Sequence, residues 1–187
     1  IAEKFHIHPI LARLIRNREV VGDEDINQYL HGTIADLYDG MLMKDMDKAV
    51  QRIELALEND ERILVFGDYD VDGTTAVSLV SAYLKKLSDN IDTYIPDRYL
   101  EGYGISNKGI DYAEDNEFSL IIALDCGIKS IDKIDYAKAK GIDFIICDHH
   151  LPGDEVPEAV AVLDAKQKDC KYPYKELCGC GVGFKLI

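Results

Sequence analysis

The run Val65-Phe-Gly-Asp-Tyr-Asp-Val-Asp-Gly-Thr-Thr-Ala76 joins two patterns of different period. A short apolar segment, Ile63 to Phe66, enters it, and a helical pattern, Thr75 to Leu87, leaves it. Between them Asp68, Asp70 and Asp72 alternate, flanked by Gly67 and Gly73. Carboxylates this close repel one another, so each pair raises a pKa or draws in a cation. Hard oxygen donors at this density suit Mg²⁺, Mn²⁺ or Ca²⁺. A solvated acidic turn is the plainer alternative, but such a turn has no need to sit between a buried strand and a buried helix.

Outward from this run, strands and helices alternate. The apolar segments predict strands at Ile63–Phe66, Thr93–Ile95, Leu120–Leu124, Phe144–Cys147 and Val160–Leu163. Helical patterns span Thr75–Leu87, Asn107–Asn116 and Ile131–Lys140, and a further helix opens near Gly181. Leu120-Ile-Ile-Ala-Leu124 is apolar throughout, the mark of a strand covered on both faces. The reading is an α/β fold: an open, mainly parallel five-stranded sheet with helices on both faces. An N-terminal helical segment precedes it. Ile10, Leu11, Leu14 and Ile15 share one face behind Pro9, with Arg13, Arg16 and Arg18 near the other. A short helix covers Asp25 to Leu30, and Asp45 caps a third that runs to about Asn59. The expected division is a helical lead-in over 1–60 and an α/β domain over 61–187.

In an open parallel sheet, ligands bind at the carboxyl ends of the strands. The first strand ends in Asp68, Asp70 and Asp72, and the second in Pro96-Asp97-Arg98. The third ends in Asp125-Cys-Gly127, and the fourth in Asp148-His149-His150. Four acidic or basic endings in succession predict one crevice. Its composition resembles a two-metal site, with two ions ~4 Å apart clamping an in-line phosphoryl displacement. The imidazoles lean toward Mn²⁺ over Mg²⁺. Asp125, alone between two clusters, is the candidate bridging ligand. One of His149 and His150 ligates, while its neighbour faces the substrate phosphate or holds a supporting hydrogen bond. Asp70 and Asp72 are the expected direct ligands, and Asp68 a ligand or a support.

The loop Leu100-Glu-Gly-Tyr-Gly-Ile-Ser106 carries two readings. One is a turn that ends in a Ser106 helix cap. The other is a substrate loop, with Arg98 for phosphate and Tyr103 to stack on a base. Gly179-Cys-Gly-Val-Gly183 has the look of a phosphate loop, but no clear strand precedes it.

The 187 residues carry a net charge of −14, which excludes a simple nucleic-acid-coating protein. It leaves open an enzyme that reaches phosphates through bound cations. Five cysteines at unrelated spacings match no zinc module and read as reduced thiols of a cytoplasmic protein. No run is long enough to span a membrane. A start at Ile1 and an apolar end at Phe184-Lys-Leu-Ile187 read as a piece of a longer protein.

Gly67-Asp-Tyr-Asp-Val-Asp-Gly73, the lone Asp125 and Asp148-His-His150 match, in order, the motifs of the DHH phosphoesterase superfamily. Pro96-Asp-Arg98, Glu101-Gly-Tyr-Gly104 and Gly179-Cys-Gly-Val-Gly-Phe-Lys185 narrow the resemblance to its RecJ-like single-stranded-DNA-specific exonucleases. The resemblance implies hydrolysis dependent on Mn²⁺ or Mg²⁺, two ions per site. It implies action on single-stranded DNA from the 5′ end, releasing mononucleotides in DNA repair or recombination. It implies ligand or supporting roles for Asp68, Asp70, Asp72, Asp125, Asp148, His149 and His150. Arg98, Tyr103, Gly104 and His150 would meet substrate. A helicase and a single-strand-binding protein are the partners it suggests. RecJ-like proteins continue into a further metal-ligating Asp, a second domain and an oligonucleotide-binding fold. Here Asp164-Ala165 stands where the family often has Asn-Pro, and Cys180 where Ala is common.

Two alternatives follow. One is another DHH phosphoesterase, acting on short oligonucleotides, cyclic dinucleotides or pyrophosphate. The other is a non-catalytic binding module, whose expected mark is a broken metal motif.

Overall fold

Strand β1 (Arg62–Gly67) pairs on both sides, with β2 (Ile91–Tyr94) and with β3 (Phe118–Leu124). Beyond β3 lie β4 (Asp143–Cys147) and β5 (Ala161–Leu163), giving a five-stranded sheet in the order β2-β1-β3-β4-β5. Every pairing is parallel. The computed structural model describes residues 1–187.

The uniform apolarity of the strands has a direct cause. Ile63, Val65, Leu120, Ile122, Leu124, Ile145 and Cys147 face one core cluster, and Leu64, Phe66, Ile121, Ala123, Phe144 and Ile146 face another. Helices α3 (Met46–Glu58), α4 (Val71–Leu84) and α7 (Gly179–Leu186) fill the first with Met46, Ala49, Ile53, Val80, Leu84 and Val182. On the other face α5 (Asn107–Asp115) and α6 (Ile131–Ala139) supply Ile110, Ala113, Ile134 and Ala137. Burying each large aliphatic or aromatic side chain stabilises by ~1.5–3 kcal/mol. The central strands are therefore the firmest supports available for a site.

The α4 crossover carries the chain from β1 out to β2, and the α5 crossover brings it back past β1 to β3. The winding direction thus reverses between β1 and β3, where such sheets open a crevice at their carboxyl edge.

The molecule divides into two compact units, Ile1–Tyr38 and Asp39–Ile187. Unit one holds α1 (Pro9–Asn17), capped by the His8 ring accepting from Ile10 N at 3.2 Å, and α2 (Asp23–His31). Of the apolar face expected on α1, Ile15 is buried, whereas Ile10, Leu11 and Leu14 are exposed. The division falls at Tyr38 rather than near residue 60, because α3 packs its apolar stripe on the sheet and belongs with it. Asp45 precedes α3 at φ 62° but does not cap it; its carboxylate takes Lys48 Nζ at 2.6 Å instead.

Candidate metal centre

Helix α4 begins at Val71, four residues before the expected Thr75. The reason is local. Asp70 is itself the cap, accepting from Asp72 N at 2.9 Å and Gly73 N at 3.0 Å. These donors, Gly73 N foremost, hold its carboxyl below the usual range. The alternation of aspartates therefore spans a strand end, a cap and a first helical turn, so the three carboxylates meet different surroundings. Gly73 lets this turn fold back: a Cβ there would stand 2.4 Å from the Asp68 carbonyl oxygen and 2.7 Å from its nitrogen.

Asp68 is fully buried. Its Oδ1 accepts from Gly104 N at 3.2 Å, while Oδ2 is buried without a hydrogen-bond partner. Asp125 follows β3, and its own N–H donates to Cys147 O at 2.8 Å, continuing the ladder. Its backbone sits at φ 63°, a left-handed conformation that costs an L-residue ~1–2 kcal/mol. It aims the carboxylate into the crevice. Asp125 Oδ1 is buried with no hydrogen bond, 3.1 Å from His149 Nε2. Burial, then the charges of Asp72 and Asp70, push this carboxyl up to about 8.

Asp148 is buried and fully engaged. Oδ2 accepts from Ile128 N at 2.9 Å; Oδ1 accepts from His149 N at 2.7 Å and His150 N at 3.2 Å. The same Oδ1 lies 2.7 Å from His150 Nδ1, and His150 Nε2 lies 3.3 Å from the Tyr103 hydroxyl. The carboxylate thus orients the ring and leaves Nε2 toward the crevice.

Two donor groups result. Asp68, Asp70 and Asp125 form one, and Asp125, His149 and His150 the other, with the donor atoms of each within 4.8 Å of one another. Asp125 is common to both. Asp72 and Asp148 fall outside them. Asp72 gives its oxygens to Gly179 N and Cys180 N, both at 2.7 Å, and lies 3.7 Å from His149 Nε2. Asp72, expected as a direct ligand, thus stands beside the second group while bonded to α7, and Asp68, expected as ligand or support, belongs to the first. The donor chemistry and the buried Asp68 oxygen without a hydrogen-bond partner fit a divalent cation, since leaving such an atom unpaired is costly.

The loop after β2 ends in the expected helix cap and also reaches the centre. Ser106 caps α5 through Gly109 N at 2.9 Å, and Gly104 reaches Asp68. Glu101 laces the loop, accepting from Asp97 N at 2.9 Å, Tyr94 Oη at 2.8 Å and Ser106 Oγ at 2.6 Å. Tyr103, half-exposed, meets the His150 ring edge-on at 6.2 Å and Tyr69 at 6.1 Å. The Arg98 guanidinium lies 5.3 Å over Tyr69. Tyr69 was not among the expected site residues. Its position between Asp68 and Asp70 was the available signal. Asp164 was also missed: at the end of β5 it is buried, with Oδ2 unpartnered, and burial pushes its carboxyl up to about 6. The strand-end rule that found Asp125 and Asp148 applies equally to β5.

The model of the DHH family, N-terminal domain, matches residues 62–187. The chain belongs to the DHH family. Its Asp148-His149-His150 lies within the matched residues, at the carboxyl end of β4. Among DHH relatives, it is 44% identical over 186 residues to the single-stranded-DNA-specific exonuclease RecJ of Bacillus subtilis, spanning 100% of this chain and 24% of that protein. To the Escherichia coli exonuclease RecJ it is 35% identical over 180 residues, 96% of this chain and 30% of that one. The chain thus spans about a quarter to a third of the length of these relatives. Among solved structures, exonuclease RecJ bound to manganese superposes with a TM-score of 0.69 at 31% identity, over 77% of this chain and 36% of that one. RecJ of Thermus thermophilus in complex with Mn²⁺ gives 0.63 at 29% identity, over 77% and 20%. No helix is long and apolar enough to cross a membrane.

Proposed function

We propose that this chain carries the metal-dependent hydrolytic centre of a single-stranded-DNA-specific exonuclease. The observation that carries the reading is the pair of donor groups sharing Asp125. The names of the two relatives reported above, both single-stranded-DNA-specific exonucleases RecJ, supply the substrate class, and the manganese-bound structures support Mn²⁺.

Asp68, Asp70 and Asp125 would hold one ion, and Asp125, His149 and His150 a second, with Asp125 bridging. Divalent cations held there would supply Lewis acidity, which lowers the pKa of water and offsets developing negative charge. The protein's own groups arrange the reaction. Asp148 fixes the His150 ring, and Asp72 ties the acidic turn to α7. Tyr69 and Tyr103 offer ring faces and edges for a nucleobase, and base–aromatic stacking contributes ~1–3 kcal/mol per base. Arg98, held over Tyr69, supplies a cation for a phosphate. Buried Cys126 and Ile128 form an apolar floor beside Tyr103 and His150.

The 5′→3′ direction and the release of mononucleotides rest on the resemblance to the family. Action on single strands would place a helicase and a single-strand-binding protein beside it, and five unpaired cysteines fit a cytoplasmic setting. The test is degradation of end-labelled single strands with Mn²⁺, set against duplex, cyclic dinucleotide and pyrophosphate. Mononucleotide release from the 5′ end of single strands alone supports the reading. Cleavage of only dinucleotides or pyrophosphate transfers the chain to another branch of DHH phosphoesterases.

A further inference from the structure

Glu101 takes no part in the reaction proposed above, yet its carboxylate gathers the loop after β2. Its side chain is only 4% exposed. Oε1 accepts from Asp97 N at 2.9 Å, and Oε2 accepts from Tyr94 Oη at 2.8 Å and from Ser106 Oγ at 2.6 Å. Burial works against its charge, but these donors, Ser106 Oγ foremost, hold its carboxyl below the usual range. Hydrogen bonds to a charged acceptor are among the stronger ones in proteins. Glu101 belongs to neither donor group, so replacing it removes no candidate metal ligand.

The three donors come from three places. Tyr94 closes β2, with its ring stacked on buried Phe66 at 5.4 Å. Asp97 precedes Arg98, whose guanidinium lies over Tyr69. Ser106 caps α5, two residues after Gly104, whose N–H meets Asp68 Oδ1 at 3.2 Å. Between Glu101 and Ser106, Gly102 and Gly104 sit at φ 84° and 78°, conformations that glycine adopts without strain. The loop buries little apolar surface of its own. Tyr99, Leu100 and Tyr103 are exposed, and only Ile105 is buried.

We propose that Glu101 is the positioning residue of the substrate loop: by joining Tyr94, Asp97 and Ser106 through one carboxylate, it fixes where Arg98 and Tyr103 stand beside the metal centre. This role rests on the reading above of the crevice as the site of a single strand. Glu101 touches no substrate; it acts through Arg98 and Tyr103. A strand then meets a cation and a stacking ring whose spacing is already set, so binding has less ordering to do.

Glu101→Gln keeps the shape of the side chain and removes its charge. With Mn²⁺ and single strands, KM rises about tenfold, the size of a lost stacking contact, and kcat changes less. A carboxylate that serves stability alone lowers the melting temperature and leaves KM of the folded protein unmoved, and that result overturns the proposal. Added to Arg98→Ala and Tyr103→Ala together, Glu101→Gln raises KM no further, because both contacts it acts through are gone. A further loss contradicts the role. Hydrogen exchange in metal-free protein reads the loop without substrate. Glu101→Gln speeds exchange of the Gly104 amide by about tenfold, with the sheet unchanged, and an unmoved Gly104 overturns the positioning role. If Glu101→Gln does not fold, Tyr94→Phe replaces it, keeping the ring and removing one donor. KM then rises about threefold, and an unchanged KM overturns the role. If wild type degrades no single strands while Glu101→Gln still frees Gly104, Glu101 organises the loop and the function proposed above is what fails.

Discussion

Asp125 concentrates the chemistry of the site in one residue: a left-handed backbone, a buried oxygen facing His149 and a raised pKa. Its proton affinity has a consequence for stability. The folded carboxyl keeps its proton up to about 8, whereas the ordinary value is 3.8. Between those values the folded state binds the extra proton, so metal-free stability falls as pH rises through this window. Asp125→Asn removes that dependence. In EDTA the variant melts above wild type near pH 8, and the gap closes toward pH 4; a gap constant with pH contradicts the assignment. With Mn²⁺ present, the same change lowers nuclease activity by ~100-fold or more, beyond the 10–100-fold of a lost supporting residue. Asp148→Asn falls within that smaller range, since it loses the anchor of His150 rather than a shared donor. Tyr103→Ala acts on binding: KM for single strands rises about tenfold, at the lower end of base-stacking contributions, with kcat changed less. A loss confined to kcat counts against the stacking role.

At the scale of elements, the strand ends were legible because the period of each segment could be read without knowing what it packs against. Leu120-Ile-Ile-Ala-Leu124 declares burial on both faces, and Asp125 then falls at a carboxyl edge by counting. The turn between β1 and α4 was legible as a site but not in its division of labour. Asp70, expected as a ligand, is also a cap; Asp72, expected as a ligand, also accepts from α7. The cap is a local choice that competes with the helical period, which pointed to Thr75. The α7 contact joins residues 107 apart, and no local pattern reports it. Tyr69 and Asp164 were within reach of the strand-end rule, had it been applied to every residue of the turn and to β5. Gly73 gives this element its sharpest test. Gly73→Ala forces a methyl against the backbone of Asp68, an overpacking that costs ~1–3 kcal/mol. Denaturant unfolding reads it; an unchanged midpoint means the turn is not as close as described.

For the whole molecule, a net charge of −14 sets the terms of substrate binding. On the proposed function, a polyanionic strand would be repelled until cations offset the carboxylates at the sheet edge, so bound metals would serve binding as well as hydrolysis. The division of the chain matters here too. The unit Asp39–Ile187 contains the sheet, α3 and every residue of both donor groups. Removing residues 1–38 therefore leaves Mn²⁺ affinity within about twofold, a change too small to reflect a lost ligand. Removing 1–60 strips Met46, Ala49, Ile53 and Ala56 from the sheet and leaves an insoluble or molten chain, as circular dichroism and dye binding report. Equal behaviour of the two truncations contradicts the boundary at Tyr38.

The central claim is that Asp125 joins two groups of donors into one centre for divalent cations. Mn²⁺ titration calorimetry on wild type and Asp125→Asn tests it most directly. The account predicts saturable binding of about two ions per chain in wild type, as a two-metal centre requires. It predicts loss of both ions in the variant, with the fold intact by circular dichroism. Binding in Asp125→Asn equal to wild type, or no binding in the folded wild-type protein, contradicts it.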